Sequence, residues 1–518
     1  MKRICFVLIL SMLALCGCSK IDELEKNAVR IDLSDDGIYA EGKPVETDAS
    51  NAVYVANDIV YYEAGKDFTY GEGTEKDAHS TEEADAHTVV HITEPGRYVL
   101  SGKLSLGQIA VDLGEDAETD PEAVVTLILK DVDITCEVAP AIIFYNVYEC
   151  CSSDEEKATK DIDTSKAGAN VIIADGTENN INGSYVEKIY KSYELNEEGT
   201  EVIDSKKLHK YDGAFYSKKT MNINGGNKGD GILNIKAENE GLGSELHLTI
   251  NGGIINITSG NDGINTNEDN VSVTTMNGGT LNILCDGSTG EGDGIDSNGW
   301  LVINGGTVVA QACATSGDAG IDSDKGIYIN GGKVIATGNM LDHIAGGDQT
   351  YAVFNFANRQ AGKSTYMLKN SDGRIVGEYS PVNAFTCLIV AGDELVPGEY
   401  TFWQGTTQLT GSSMKNMQGG MPQGEKPEMP QGEQNEKGTP PEVPDGMERP
   451  EPPSDERPQM PNGERLEMPE GMENMTPPDN MGGMMGGNMM PNGETSTTFA
   501  LAKGGNQFAN VCLVVSTK

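Results

Sequence analysis

Acidic and amide residues recur at matching places in this sequence, and their side chains could hold a cation. If their segments stack as neighbouring strands about 4.8 Å apart, one Ca²⁺ could bridge successive side chains, because oxygens on opposite sides of that ion stand roughly 4.6–5.2 Å apart. We therefore expect calcium at one row of Asp262, Asp293 and Asp318, at a second row of Asn265, Asp296 and Asp322, and at Asp324. Aspartate, asparagine and glycine are also good turn formers, so the pattern is compatible with turns that hold no ion.

A regular internal repeat would position these rows. The triplet Asn-Gly-Gly occurs at Asn224, Asn251, Asn277, Asn304 and Asn330, with spacings of 27, 26, 27 and 26 residues. Apolar and polar side chains alternate before and after each triplet, which predicts short strands with one buried face. Repeats of this length bury their apolar faces by stacking. We therefore predict an all-β chain built on a parallel β-helix, a single-stranded solenoid that is right-handed by the general rule for parallel crossovers.

Two aromatic residues could bind a sugar ring. Trp300 lies four residues before Asn304, and Tyr328 lies two before Asn330, so both fall on the outward phase of their strands in adjacent repeats. Aromatic rings offer apolar area beside a polar rim, which suits carbohydrate. We expect Trp300 and Tyr328 to contact a polysaccharide, although an outward tryptophan could also pack under a loop.

These segments resemble a family of bacterial surface proteins that carry a carbohydrate-binding parallel β-helix. The resemblance runs from Val89 to about Trp403 and includes ITEPGRYVLSG at 92–102, ADGT at 174–177 and DGAFYS at 212–217, besides the stacked turns. It implies a fold like that of pectate lyases, binding of cellulose and pectin, and bound calcium. The chain departs from the family by a charged insertion around Cys150 to Ala169 and by a long insert near its end.

The sequence does not predict a catalytic residue. A calcium-assisted lyase needs a base beside the metal, and Lys325, which follows Asp324, is the candidate. A lysine next to acidic residues is more often an ion-pair partner. We therefore expect a binding protein, with a calcium-dependent polysaccharide lyase and a non-catalytic adhesin or envelope structural protein as alternatives.

Charge and the first residues indicate where the protein works. The net charge of −43 excludes a general nucleic-acid binder, and it would repel a polyanionic glycan unless a cation lay between the two surfaces. A short basic start and an apolar run end in Leu-Cys-Gly-Cys, which resembles a bacterial lipobox with Cys18 as the lipidated residue. We expect a monomer outside the cytoplasm whose contact with the cell membrane is a lipid anchor.

Composition divides the chain into five parts. We predict a lipoprotein signal peptide at 1–17, a spacer at 18–50, the β-helix with edge elements at 51–412, a disordered low-complexity insert rich in Met, Pro and Gly at 413–494, and a C-terminal β segment at 495–518. Seven cysteines remain after Cys18, an odd number without any CxxC spacing. This arrangement predicts buried thiols rather than a disulfide framework or a zinc site.

Overall fold

The computed structural model describes residues 25–414 and 495–514. These residues are nearly all β, with a few short helical turns, and form sheets of 26, 8 and 3 strands in which long runs of neighbours are parallel. The prediction of an all-β chain is therefore confirmed, and large parallel sheets are its main feature. The signal peptide, Cys18 and almost all of the insert predicted at 413–494 lie outside the described residues.

The N-terminal part contains twelve strands, a short helix at Thr81–Asp85 and 3₁₀ turns at Glu115–Thr119 and Glu155–Lys157. Its strands are β1 (Val29–Leu33), β2 (Tyr39–Ala40), β3 (Lys43–Pro44), β4 (Val53–Ala56), β5 (Gly71–Glu72), β6 (Thr88–Ile92), β7 (Gly96–Leu104), β8 (Gly107–Asp112), β9 (Val125–Thr135), β10 (Ile142–Asn146), β11 (Ala169–Ile173) and β12 (Glu178–Gly183). Strand β1 lies in the stretch expected to be a spacer, yet it pairs in parallel with β7. Ile31 and Leu33 of this strand are buried, so their burial explains why a polar stretch joins the sheet here.

A long hairpin separates this part from the repeats. It consists of β13 (Val186–Leu195) and β14 (Val202–Tyr211), which pair antiparallel, and β13 also pairs with β5.

The repeat region follows with fifteen short strands. They are β15 (Gly213–Ser217), β16 (Met221–Gly225), β17 (Ile232–Ala237), β18 (Glu240–Ser244), β19 (His247–Ile250), β20 (Ile254–Ser259), β21 (Ile264–Thr266), β22 (Val273–Met276), β23 (Thr280–Cys285), β24 (Ile295–Ser297), β25 (Trp300–Ile303), β26 (Thr307–Gln311), β27 (Gly326–Ile329), β28 (Lys333–Gly338) and β29 (Ile344–Gly346).

The repeat strands form three stacks of parallel neighbours. The first stack is β9, β11, β16, β19, β22, β25, β27 and β29. The second stack is β9, β12, β17, β20, β23, β26 and β28. The third stack is β6, β8, β10, β15, β18, β21 and β24. Equivalent positions of successive repeats therefore lie side by side.

Alternating burial explains why these segments are strands. In β20 and β23, every second side chain is buried, and all of these side chains except Ser259 belong to one hydrophobic cluster drawn from all three stacks. The second glycine of each of the last four triplets turns the chain between the first two stacks at positive φ, and Gly253 and Gly279, for example, adopt φ of 90° and 85°. Glycine is favoured there because a Cβ atom is strained at positive φ.

The C-terminal part packs differently. Its strands are β30 (Tyr351–Gln360), β31 (Tyr366–Asn370), β32 (Ile375–Tyr379), β33 (Phe385–Ala391), β34 (Gly398–Gln404), β35 (Thr407–Met414), β36 (Thr498–Leu501) and β37 (Gly505–Leu513). Most of their pairings are antiparallel, and β36 pairs with β34, which ends beside Trp403. A separate core rich in aromatic side chains lies among these strands. Strand β33 joins this part to the second stack by pairing with β28.

Two further observations concern cysteines and membranes. Of the seven cysteines in the described residues, all are free; Cys136, Cys285, Cys313 and Cys387 are buried, and the other three are half-buried. Within the same residues, none of the helices combines the length and the apolar character that crossing a bilayer requires.

Candidate functional site

The outward face of the first stack carries a column of asparagine side chains. In four successive pairs the Nδ2 of one residue donates to the Oδ1 of its neighbour, at 3.0, 2.9, 2.9 and 2.8 Å. We call this column the asparagine ladder; its members are Asn224, Asn251, Asn277, Asn304 and Asn330. An amide carries both donors and an acceptor, so each member satisfies the next while it stays exposed to solvent.

The charged insertion folds over this face and makes a groove. Asn222 donates from Nδ2 to the carbonyl of Thr164 at 2.7 Å, and Thr164 donates from Oγ1 to Thr249 at 2.9 Å. Residues 160–165 thereby form one wall, and the asparagine ladder lines the opposite side of a groove of about 750 Å³. Oδ1 of Asn222 is buried in this lining and has no hydrogen-bond partner.

Trp300 and Tyr328 lie on neighbouring strands of the first stack, Trp300 beside Gly326 and Tyr328 beside Val302. Both rings are half-buried and covered by a lysine: the Nζ of Lys325 is 5.0 Å from the centroid of Trp300, and the Nζ of Lys160 is 5.1 Å from that of Tyr328. Neither ring lines the groove itself, although Lys160 and Val302 do. The structure thus places the two predicted aromatic residues beside the groove rather than in it.

The predicted acidic rows lie at the third stack, on another face of the repeats. The backbone N–H of Gly241 donates to the carbonyl of Asp262, and that of Gly263 donates to the carbonyl of Asp293, at 2.9 and 3.0 Å. These bonds align Glu240, Asp262 and Asp293 in one row. Each carboxylate also accepts from the next repeat: Asp262 Oδ1 from the N–H of Asp293 at 2.7 Å, and Asp293 Oδ1 from that of Ala319 at 2.6 Å.

Asp318 departs from the predicted row. The N–H of Gly294 donates to the carbonyl of Ala319 at 3.0 Å, so Ala319 occupies the position that follows Asp293. Asp318 lies one residue earlier, where its carboxylate accepts from the N–H of Gly292 at 2.5 Å and from the hydroxyl of Ser316. Its role there is to cap a loop, because those two donors already occupy Oδ2.

The second predicted row is in register. Asn265 pairs with Asp296 across β21 and β24, and the N–H of Asp322 donates to the carbonyl of Ile295 at 2.7 Å, which places Asp322 beside Asp296. Asp324 follows two residues later, and its N–H donates to the carbonyl of Ser297 at 3.1 Å. Asp324 therefore lies beside Asn298 in a third row.

Two acidic residues that the sequence analysis did not select extend this surface. Glu240 precedes Gly241 just as Asp262 precedes Gly263, and its Oε1 accepts from Nδ2 of Asn265 at 2.8 Å. Asp212 belongs to the preceding repeat and pairs with Lys210 at 3.1 Å. The sequence signal that could have identified both residues is an acidic residue directly before the glycine of a third-stack segment. Glutamate at that position supplies a carboxylate just as aspartate does. We call the combined set the acidic strip: Asp212, Glu240, Asp262, Asn265, Asp293, Asp296 and Asp322.

Burial, which the charge of Lys210 offsets only in part, raises the pKa values of carboxyl groups in the strip. Burial, with the charge of Asp212, raises the pKa of Glu240 to about 8. Burial likewise raises the pKa of Asp293 to about 7 and that of Asp296 to about 6. For Asp322, burial and the neighbouring Asp342 raise the pKa to about 8. Each shift means that the ionised carboxylate lacks the solvation it would have in water.

Two buried oxygen atoms of the strip lack hydrogen-bond partners, and this indicates the kind of ligand that the strip could bind. Oε2 of Glu240 and Oδ1 of Asn265 have no hydrogen-bond partner, and these residues are only 4% and 6% exposed. A buried oxygen without a partner is costly, and both atoms are hard ligands of the kind that Ca²⁺ takes. The strip therefore fits an oxygen-bound divalent cation.

The lysine that the sequence suggested as a catalytic base does not pair with the acidic strip. Lys325 covers Trp300, and its Nζ lies 3.9 Å from Oε1 of Glu155, a residue of the insertion. Lys210, on β14, is instead the lysine that pairs with the acidic strip. Burial alone would lower its pKa, but the charges of Asp212 and Glu240 raise it above the ordinary value.

Comparison with known proteins gave two matches. A family model described as carbohydrate-binding domain-containing protein matches residues 86–365, more than half of the chain. The solved structure of a polysaccharide lyase-like protein from C. thermocellum, a gadolinium derivative, is 20% identical, with 62% of this chain and 99% of that chain covered at a TM-score of 0.33. A search of curated proteins gave no match.

Proposed function

Because the chain belongs to the family of carbohydrate-binding domain-containing proteins, we propose that it binds a polysaccharide of the plant cell-wall type, cellulose-like or pectin-like. The binding site is the groove between the asparagine ladder and residues 160–165. The observation that carries this proposal is the ladder itself, a straight row of exposed amides along one wall of an open groove.

The ladder suits an extended chain of sugars. Five residues on neighbouring strands span roughly 19 Å at about 4.8 Å per strand, which accommodates several sugar units. Each amide keeps spare donor and acceptor capacity after bonding its neighbours, so it can also bond hydroxyl groups. The unpartnered Oδ1 of Asn222 adds a buried acceptor at the end of the groove near the insertion.

The negative net charge of the chain favours binding of a neutral glycan, except where a negatively charged ligand can contact lysine side chains. The chain carries a net charge of −43, which repels uronate polymers at long range. Lys160 and Lys325 are the local exceptions, because each places an ammonium group over an aromatic ring beside the groove. A pectin-like ligand would use these two sites, whereas a cellulose-like ligand would depend on the amides.

We infer that the three stacks are the faces of a right-handed parallel β-helix that calcium stabilises. A single hydrophobic cluster shared by all three stacks supports the closed arrangement, and the hand follows the general rule for parallel crossovers. Ca²⁺ would supply positive charge to the acidic strip, with Glu240, Asp262, Asn265 and Asp293 as its first candidate ligands. We also propose that the protein works outside the cytoplasm, anchored through Cys18 by a lipid.

Retention on immobilised glycans tests the binding proposal. Full-length protein is passed over cellulose and polygalacturonate, with calcium and again with chelator. We expect retention on at least one of them, and a loss of about 10-fold or more for the double variant Asn277→Ala/Asn304→Ala, since each lost hydrogen bond costs about 1 kcal/mol.

The chain offers a matched control for this experiment. Asn282 belongs to a second row of bonded amides, in which Asn256 accepts from its Nδ2 at 2.9 Å, but it lies on the second stack and does not line the groove. Asn282→Ala should therefore bind glycan like the unaltered protein. Equal losses for both variants would mean that the ladder acts through stability alone, and no retention on any glycan would refute the proposal.

A calcium-dependent polysaccharide lyase is the alternative, and Lys210 is the residue that favours it because it lies at the acidic strip. A lyase base must be neutral to take the proton, whereas the carboxylates around Lys210 keep its ammonium group charged. Unsaturated product absorbing in the ultraviolet, formed from polygalacturonate by the unaltered protein and not by Lys210→Ala, would establish the enzyme. Absence of both retention and product would leave the adhesin or envelope protein.

A further inference from the structure

Glu149, Cys150 and Cys151 form a compact cluster where the charged insertion begins. Among the described residues, this is the group of three acidic, cysteine or histidine side chains whose ligand atoms all lie within 4.8 Å of one another. The two sulfurs are 3.4 Å apart, and all three residues are half-buried. Adjacent cysteines whose sulfurs converge on one carboxylate make a mixed sulfur and oxygen ligand set.

The carboxylate of this cluster is held firmly. Oε1 of Glu149 accepts from the N–H of Cys151 at 2.9 Å and from the hydroxyl of Thr220 at 2.7 Å, while Oε2 accepts from the N–H of Thr220 at 2.7 Å. A carboxylate oxygen has two lone pairs, so Oε2 keeps one for a further ligand. Hydrogen-bonded support of this kind is typical around metal ligands.

A buried histidine supports one of the sulfurs. Nδ1 of His247 accepts from the N–H of Val273 at 3.0 Å, so the ring proton must be on Nε2. The side chain of His247 lies beside that of Cys151, and Nε2 is the ring nitrogen left to face the sulfur. His247 is 2% exposed and has no free lone pair, so it orients the sulfur and is not itself a ligand.

We propose that Glu149, Cys150 and Cys151 bind a thiophilic divalent cation, with Zn²⁺ as the physiological ion. Zinc–sulfur bonds are about 2.3 Å long, and two sulfurs on a tetrahedral ion stand roughly 3.8 Å apart. The observed separation of 3.4 Å requires only a small adjustment. Binding exchanges the two thiol protons for one ion, and both protons leave to solvent. Three protein ligands leave a fourth position for water.

An ion bound at this cluster would stabilise the position of residues 160–165, which form one wall of the groove. Glu149 bonds the residue that precedes β16, and Cys151 lies 3.9 Å from the carbonyl of Asp163, one of the groove-lining residues. The ion would thus tie the base of the insertion to the first stack. This site is independent of whether the groove binds polysaccharide.

Cobalt spectroscopy tests the proposal. The reduced full-length protein is saturated with Ca²⁺, so that hard oxygen sites are filled, and is then titrated with Co²⁺ without oxygen. We expect thiolate-to-cobalt absorption in the near ultraviolet that saturates at one equivalent and disappears when Zn²⁺ is added. Glu149→Gln should weaken binding by about 10-fold or more.

Matched cysteine variants assign the signal. Cys150→Ser/Cys151→Ser should lose the absorption, whereas Cys512→Ser, which alters another half-buried thiol, should keep it. Far-ultraviolet circular dichroism shows that each variant is folded. A folded, reduced protein without thiolate absorption would overturn the proposal, and so would absorption that persists in the double variant.

Discussion

The same repeats build both the asparagine ladder and the acidic strip, but the two rows differ in charge and in whether their side chains satisfy one another by hydrogen bonds. The ladder is exposed and neutral, and each amide satisfies the next. The strip is buried or half-buried and mostly acidic, and ionised carboxylates cannot satisfy one another because they only accept hydrogen bonds. In a stacked fold, a repeated amide is therefore self-sufficient, whereas a repeated carboxylate requires a proton or a cation.

The strongest test of this difference is pH in the absence of divalent cations. The folded-state pKa values of Glu240 and Asp293 are raised to about 8 and about 7, so bound protons stabilise the folded state at low pH. That stabilisation is lost as the pH rises through those values. We expect the free energy of unfolding, measured by urea denaturation in chelator, to fall by several kcal/mol between pH 5 and 8, since one pKa unit is worth about 1.4 kcal/mol. A free energy that rises over this range would contradict the burial of these carboxylates.

Calcium should reverse that loss. At pH 8, adding Ca²⁺ to chelated protein should raise Tm by several degrees, because a ligand at one hundred times its Kd contributes about 2.7 kcal/mol per site. Differential scanning calorimetry measures the change, and Na⁺ at equal ionic strength is the control. The same Tm with and without Ca²⁺ would remove calcium from the proposed function.

Replacing carboxylates of the strip by amides should invert the response. Asp293→Asn/Asp296→Asn keeps the side-chain shape and the oxygen that accepts from Ala319, but removes two negative charges. In chelator at pH 8 we expect the variant to be more stable than the unaltered protein by about 1–2 kcal/mol, and in Ca²⁺ less stable. Urea denaturation under both conditions checks this result. If the variant were less stable than the unaltered protein in chelator as well, repulsion between the carboxylates of the strip would not be what destabilises the cation-free protein.

Placing a carboxylate in the ladder is the reciprocal change. Asn277→Asp removes the donor that bonds Asn251 and sets two acceptors against each other. We expect a loss of about 1 kcal/mol at pH 7 that shrinks as the pH falls to 3, because protonation restores a donor. Asn358→Asp, on an exposed part of β30, is the control and should be neutral. A loss that does not depend on pH would point to a packing change.

The smallest expected effect concerns the lysine beside the groove. Lys160→Ala should weaken binding to polygalacturonate by roughly 3-fold at low salt, since an exposed charge pair contributes up to about 1 kcal/mol, and should leave binding to cellulose unchanged. Isothermal titration with soluble fragments of each glycan measures both affinities. Equal weakening for the two ligands would mean that Lys160 acts by holding the loop.

Several features of the fold were readable from local pattern. The alternation around the triplets predicted strands, and the matching segments GINT at 263–266 and GIDS at 294–297 placed Asn265 beside Asp296 and Asp262 beside Asp293, as the structure has them. Local pattern did not reveal the break at Asp318, because the loop before Ala319 changes the register by one residue. Glu240 was missed because aspartate occupies the matching position before the glycine in the neighbouring repeats, and the burial of this glutamate became clear only in the structure.

The sequence by itself determined the strands, their period and the all-β class, because alternation and turn glycines act on a few neighbouring residues. Only the tertiary structure decided that the insertion folds back to form one wall of a groove, that lysines cover Trp300 and Tyr328, and that Thr220 holds the carboxylate of Glu149. Those contacts require the surface that the stacked strands form. The insertion, whose sequence does not follow the repeat, packs against that surface. No short-range pattern specifies them, since their free energy depends on burial and charge contributed by distant repeats.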